Sequence, residues 1–205
     1  MSLAKRTRSV REPVSAIAVA LACALLLSGC ASDPLADQYR AGSGKNYIAG
    51  DGSVTEIVPE NRSDAVVFEG VDESGATISS RELSGEVIVV NFWYAGCAPC
   101  RAEAPVLEEA FEDSASTGVA FVGVNVRDQA ETAQTFNKEF GVTYSSIIDT
   151  NGQAQLAFAT NVPPNAVPTT LVLDRQGRVA ARILGQLKNA SILTTIISDV
   201  AAETN

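Results

Sequence analysis

The distribution of apolar and polar positions divides the chain sharply. An unbroken apolar run occupies Val14 to Leu27, whereas the stretch from Ala31 to about Asn61 has little apolar periodicity and is rich in Gly, Ser, Asp and Ala. From Asp64 onward, strand-like and helix-like patterns alternate. Val66-Val67-Phe68, a turn at Asp72-Glu73-Ser74-Gly75 and Ala76-Thr77-Ile78 predict a short β-hairpin. Glu86–Phe92 is rich in β-branched and aromatic residues and Gly118–Val126 is largely apolar, as strands covered on both faces should be. Between them, Cys100, Ala104, Leu107 and Phe111 recur at helical spacing and predict a helix from Pro99 to about Asp113, with Pro105 inside it. A second helix, ending at Phe140, presents Ala133, Phe136 and Phe140, with Asp128 and Glu131 as the expected capping pair. Tyr144–Ile148 reads as a short strand and Ala154–Ala159 as a short helix. Thr169–Leu173 and Arg178–Leu184 form a closing hairpin about Asp174–Gly177. A last helix from about Asn189 to Ala202 places Ile192, Leu193, Ile196, Ile197 and Val200 on one face. Strands alternating with helices imply an α/β fold with a sheet covered on both sides.

The N-terminal run changes the picture of where the protein works. Lys5, Arg6, Arg8 and Arg11 precede the apolar stretch, and Leu27-Ser28-Gly29-Cys30 closes it. Basic residues, an apolar run and then small residues form an export signal, and the run is too short for a membrane span of about 20 residues. A transmembrane anchor and a buried helix are the weaker alternatives. The expected organisation is a signal over residues 1–29, a tether over 30–63 and one folded domain over 64–205. The formal net charge is −9, and loss of residues 1–29 makes it more negative. Such a balance argues against nucleic acid, whose phosphates require a basic footprint, and against adhesion to anionic lipid through charge alone.

The candidate chemistry sits where the apolar strand turns into the first helix. Asn91-Phe92-Trp93-Tyr94-Ala95-Gly96-Cys97-Ala98-Pro99-Cys100 puts Cys97 at a helix N-terminus, where free N–H groups and the dipole stabilise a thiolate, with its sulfur expected at the surface. Cys100 follows one turn on, within disulfide reach. Half of a zinc site and an inert disulfide are the competing readings. Zinc needs three or four protein ligands, and the chain has no histidine and two other cysteines, Cys23 and Cys30.

Asn91-Phe92-Trp93, Cys97-Ala98-Pro99-Cys100, Glu103 and Pro105 together resemble the signature of the TlpA/ResA-like branch of thioredoxin-fold thiol–disulfide oxidoreductases. The resemblance implies a thioredoxin-like fold, a central mixed sheet flanked by helices with an N-terminal β-hairpin and a central insertion that holds the helix ending at Phe140. It implies that Cys97 attacks, that Cys100 resolves, and that Glu103 tunes the thiols and carries protons, the bland alternative being a solvated glutamate. Thioredoxin itself has a buried aspartate where Asn91 stands, which favours Glu103 as the proton carrier. Pro168, in Val167-Pro168-Thr169-Thr170, matches the family's cis proline facing the disulfide, and Val167 would then offer its backbone to a substrate strand. Trp93 matches the family's tryptophan and is expected as a wall beside bound substrate. Gly96 departs from the family, which usually has a second tryptophan there. In proteins with such a signal, Cys30 is acylated after cleavage before it, and Cys23 leaves with the signal.

The resemblance implies no metal or organic cofactor. Its partners are disulfide-containing exported proteins, apocytochromes among them, a membrane thiol carrier as electron donor, and the membrane through lipid on Cys30. Oxidation of new substrates uses the same parts. A thiol peroxidase is a weaker alternative, since its Thr-x-x-Cys site is missing. A lipoprotein binding module with a structural bridge, copper delivery included, is the alternative outside enzymes.

Overall fold

The computed structural model describes residues 53–203, Pro164 excepted. Its centre is a six-stranded mixed sheet built from β1 (Val54–Glu56), β4 (Val87–Trp93), β5 (Val119–Asn125), β6 (Ser146–Ile148), β7 (Thr169–Leu173) and β8 (Val179–Leu184). The strand order is β1-β8-β7-β4-β5-β6. β4, β5 and β6 run parallel, while β7, β8 and β1 each pair antiparallel with the preceding neighbour. All seven residues of β4 are buried, because it is central and covered on both faces. Val87 and Val89 point to one layer, with Leu107, Leu193, Ile196 and Ile197; Ile88, Val90 and Phe92 point to the other, with Phe68, Phe158 and Leu171. The first layer is supplied by α1 (Ala98–Ser114) and α4 (Ala190–Ala201); α2 (Ala130–Phe140) and α3 (Gln153–Ala157) complete the helices.

Several expected features lie elsewhere. β1 belongs to residues read as the end of the tether, so sheet structure begins before Asp64. The hairpin strands are β2 (Glu69–Val71) and β3 (Thr77–Ser79), forming their own two-stranded sheet. Val66 and Phe68 precede that ladder and are buried in the core, so their apolar pattern reports burial rather than pairing. The Asp72 carboxylate sets the turn by accepting the N–H groups of Ser74 and Ala76. Gly70 is required where this hairpin meets β6, since a Cβ there would stand 2.3 Å from Ile147 Cγ2. Asp128 does not cap α2. Gln129 occupies the N-cap without a side-chain bond, and Asp128 is engaged by the loop before Cys97 instead. Ile192 is 37% exposed, because it faces an open groove between β1 and the start of α4. Phe140 is half-buried. Among the described residues no helix is long and apolar enough to cross a membrane. The signal, Cys30 and most of the expected tether lie outside the described residues.

Candidate active site

The carboxyl end of β4 delivers Trp93, and a short loop carries the chain into α1. Cys97 is the N-cap of α1, and the Cys100 N–H donates to its Sγ at 3.2 Å. A disulfide joins Cys97 and Cys100, with Cα atoms 5.2 Å apart. In this oxidised state both are covered, at 4% and 2% exposure, which corrects the expectation of an exposed Cys97 sulfur. The cluster that holds the two cysteines has local neighbours, Tyr94 and Ala95, and a distant one, Val167, packed against it. Pro105 lies inside α1, as expected.

The loop before Cys97 is held from the side by the segment that follows β5. Val126 N–H donates to Trp93 O, Ala95 N–H to Asp128 Oδ2 at 2.6 Å, and Asn125 Nδ2 to the same oxygen at 2.9 Å. The Arg127 guanidinium lies 4.2 Å from the centre of the Tyr94 ring. Sequence reasoning missed this clasp. Its signal was Asn125 and Asp128 directly after a strand, two residue types that bond nearby backbone; Asn125 Oδ1 accepts the N–H of both Arg127 and Asp128.

Glu103 is fully buried, at 0% exposure, so it is not a solvated first-turn glutamate. Its Oε1 accepts from Asn91 Nδ2 at 2.9 Å and its Oε2 from the Leu187 N–H at 2.8 Å. Desolvation pushes the carboxyl up from 4.5 to about 7, against the pull of the Leu187 and Asn91 hydrogen bonds, which favour the anion. A group poised there gives and takes protons at neutral pH. Asn91 also donates to Thr170 Oγ1, tying Glu103 to β7. Trp93 is 4% exposed, stacks near Phe136 at 4.3 Å and donates from Nε1 to Ser146. It is a wall of the core, with almost no surface to offer a substrate.

The Val167–Pro168 peptide bond is cis. Pro168 O accepts the Gly185 N–H, which pins this segment to the end of β8, and Val167 packs against the cysteine cluster. The structure thus brings Cys97, Cys100, Glu103, Trp93, Val167 and Pro168 around one end of the sheet. A surface groove of about 850 Å³ lies between β1, the β8–α4 connection and α4, and neither cysteine lines it.

A strand that feeds a C-x-x-C disulfide at a helix start, beside a cis proline leading into the adjacent antiparallel strand, defines a thioredoxin-fold thiol–disulfide oxidoreductase. The known proteins agree. The AhpC/TSA family profile matches residues 62–182, more than half of the chain, and the chain belongs to that family. It is 32% identical over 130 residues to thiol-disulfide oxidoreductase ResA of Bacillus subtilis (strain 168), covering 63% of this chain and 70% of that one. It is 35% identical over 121 residues to thiol:disulfide interchange protein HelX of Rhodobacter capsulatus, covering 58% and 64%. Among solved structures, a DsbF homologue from Corynebacterium diphtheriae superposes with TM-score 0.64 at 32% identity, over 77% of this chain and 99% of the other. A secreted thiol-disulfide isomerase from Corynebacterium glutamicum gives 0.66 at 27% identity, over 77% and 98%. The chain is therefore an enzyme of the ResA/HelX thiol–disulfide oxidoreductase type, which sets the binding-module alternative aside.

Proposed function

We propose that this protein is an extracytoplasmic, membrane-anchored reductase of disulfides in exported proteins, held by lipid on Cys30 and recharged by a membrane thiol carrier. Cys97 is the attacking sulfur. In the reduced enzyme its thiolate, at the start of α1, breaks a substrate disulfide and forms a mixed disulfide. Cys100 then attacks Cys97 Sγ, closes the Cys97–Cys100 bond and releases the second substrate thiol. Glu103 takes up and returns the proton of the buried Cys100 by way of its neighbours. The Val167 carbonyl, beside the cysteine cluster, accepts from the substrate strand while its N–H stays on Asn165 O, which gives binding with little side-chain selectivity. The observation that carries the reading is a fully buried carboxyl three residues beyond Cys100, raised to about 7, behind a disulfide flanked by cis Val167–Pro168.

Support for the address comes from the basic, apolar and Leu27-Ser28-Gly29-Cys30 sequence of the N-terminus. Support for the substrate class comes from the ResA and HelX relatives. Equilibrium titration of the cysteine pair against glutathione, with insulin reduction in dithiothreitol, tests the reading. A low potential and accelerated insulin reduction are expected. A high potential would reverse the direction of electron flow, and no acceleration over dithiothreitol alone would remove the redox role of the pair. The roles of the two sulfurs are tested by trapping. Cys100→Ala should accumulate partner proteins as reductant-sensitive adducts and Cys97→Ala few; adducts chiefly in Cys97→Ala would overturn the assignment.

A further inference from the structure

Beside Cys100 lies a small cavity of about 10 Å³, room for one water at most. Cys100, Asn91, Trp93, Asn137 and Tyr144 contribute to its lining. Asn137 enters from α2, and its orientation is set from outside. Asn137 Nδ2 donates to Glu73 Oε1 at 3.0 Å, in the turn of the β2–β3 hairpin, and Glu73 Oε2 in turn accepts the Ser146 N–H. A carboxylate accepts and does not donate, so it selects the NH₂ edge of the amide and turns Oδ1 inward. That Oδ1 is buried and has no hydrogen-bond partner among the described residues.

An unpaired buried acceptor destabilises the state that contains it, by about 1–3 kcal/mol when nothing compensates. The cavity's donors are mostly committed. Asn91 Nδ2 serves Glu103 and Thr170, and Trp93 Nε1 serves Ser146. Cys100 has no hydrogen to give while it is bonded to Cys97. Reduction changes that. A dithiol donor passes two electrons to the bridge and becomes a disulfide; the Cys97–Cys100 bond breaks, Cys97 leaves as thiolate, one proton stays on Cys100 Sγ and the other goes to solvent. Cys100 then has an S–H group at the cavity that Asn137, whose Oδ1 lacked a donor, also lines.

We propose that Asn137 is a positioning residue that accepts a hydrogen bond from the Cys100 thiol, directly or through one water, in the reduced enzyme alone, and so favours the dithiol over the disulfide. The inference rests on the reading that the Cys97–Cys100 pair cycles. It assigns to the N-terminal hairpin, through Glu73, a part in setting the potential of a bridge it does not touch.

The test compares wild type with Asn137→Leu in the glutathione titration. Removing the acceptor removes the penalty on the oxidised form, so the equilibrium constant should move toward the disulfide by about fivefold, or ~20 mV toward more reducing potential. Loss of the Glu73 contact alone weakens both redox states equally and leaves the constant unchanged; that result overturns the proposal. A pair that fails to titrate even in wild type would overturn the cycling reading instead. Infrared spectra of a Cys97→Ser protein in which Cys23 and Cys30 are also serine, so that Cys100 is the one thiol left and α2 is unaltered, give a second readout. A lowered S–H stretching frequency is expected. A free-thiol frequency means that Asn137 takes its bond from Tyr144 or solvent, and overturns the proposal whether or not Asn137→Leu folds.

Discussion

Glu103 shows how much one side chain depends on where its partners come from. Its two donors lie 12 and 84 positions away, and their bonds only partly offset the cost of burying the charge. The sign of the resulting pH dependence is the reverse of the common carboxylate case. Below pH 4.5 the group is protonated both folded and unfolded. Between 4.5 and about 7 the unfolded chain loses the proton while the folded protein keeps it, so stability falls as pH rises through that window. The full effect is about 3 kcal/mol. Urea unfolding at pH 5 and pH 8 should therefore show a smaller loss on raising pH in Glu103→Gln than in wild type, together with slower thiol exchange near neutrality. Equal pH dependence in the two proteins would return Glu103 to an ordinary carboxylate. At this scale the sequence was half legible. The helix start and cysteine spacing were readable because they are local, and Cys97 does act as N-cap. Burial was not, because a glutamate reads as exposed until Asn91 and Leu187 are brought to it, and Cys97 reads as exposed until the cluster around it is assembled from separate segments.

Among the elements, long uniform patterns were the readable ones. β4, β5, α1 and α4 announce themselves because central strands are apolar on both faces and packed helices carry a stripe. The hairpin was read three residues early, since Val66 and Phe68 are apolar for the sake of the core while the ladder is positioned by the Asp72 turn. Asp128 was read as the cap of the helix that follows it, and it braces the loop that precedes Cys97. Its bond is charge-assisted, worth about 1.5–3 kcal/mol. Asp128→Ala should lower stability by an amount of that order and slow thiol exchange by letting the Ala95–Gly96 turn wander. Asp128→Asn keeps an oxygen acceptor and should recover most of both. Chemical denaturation and exchange rates measured on the three proteins check this, and an Asp128→Ala enzyme with unaltered exchange would confine the clasp to stability.

At the scale of the molecule, Arg62 joins distant parts of the chain. Its guanidinium, 2% exposed, binds Asp174 at 2.9 Å and Glu203 at 2.6 and 2.7 Å, and its Nε donates to Ile57 O. One side chain thus fastens the segment after β1, the β7–β8 turn and the residues after α4. Asp174 keeps Arg178 when Arg62 is removed, but a buried ionic network loses its central cation, so Arg62→Ala should cost about 3 kcal/mol, read as a shift in the urea midpoint at unchanged slope. No sequence pattern pointed to it, since it needs three segments to meet. The lipid anchor has its own test: Cys30→Ser should release the protein from membranes or leave an uncleaved precursor, and processed protein that still partitions with membranes would remove the claim.

The direction of β1 fixes the end of the sheet at which the described chain begins. Phe92 is opposite Thr169, Thr169 opposite Leu184, and the Leu184 N–H donates to Ser53 O. These four residues form one row across the sheet, at the end where the disulfide sits. The described chain therefore begins, at Ser53, on the reactive pole of the domain, and β1 runs away from it. A substrate strand that docks beside the cysteines therefore shares this end of the sheet with the first described residues of β1.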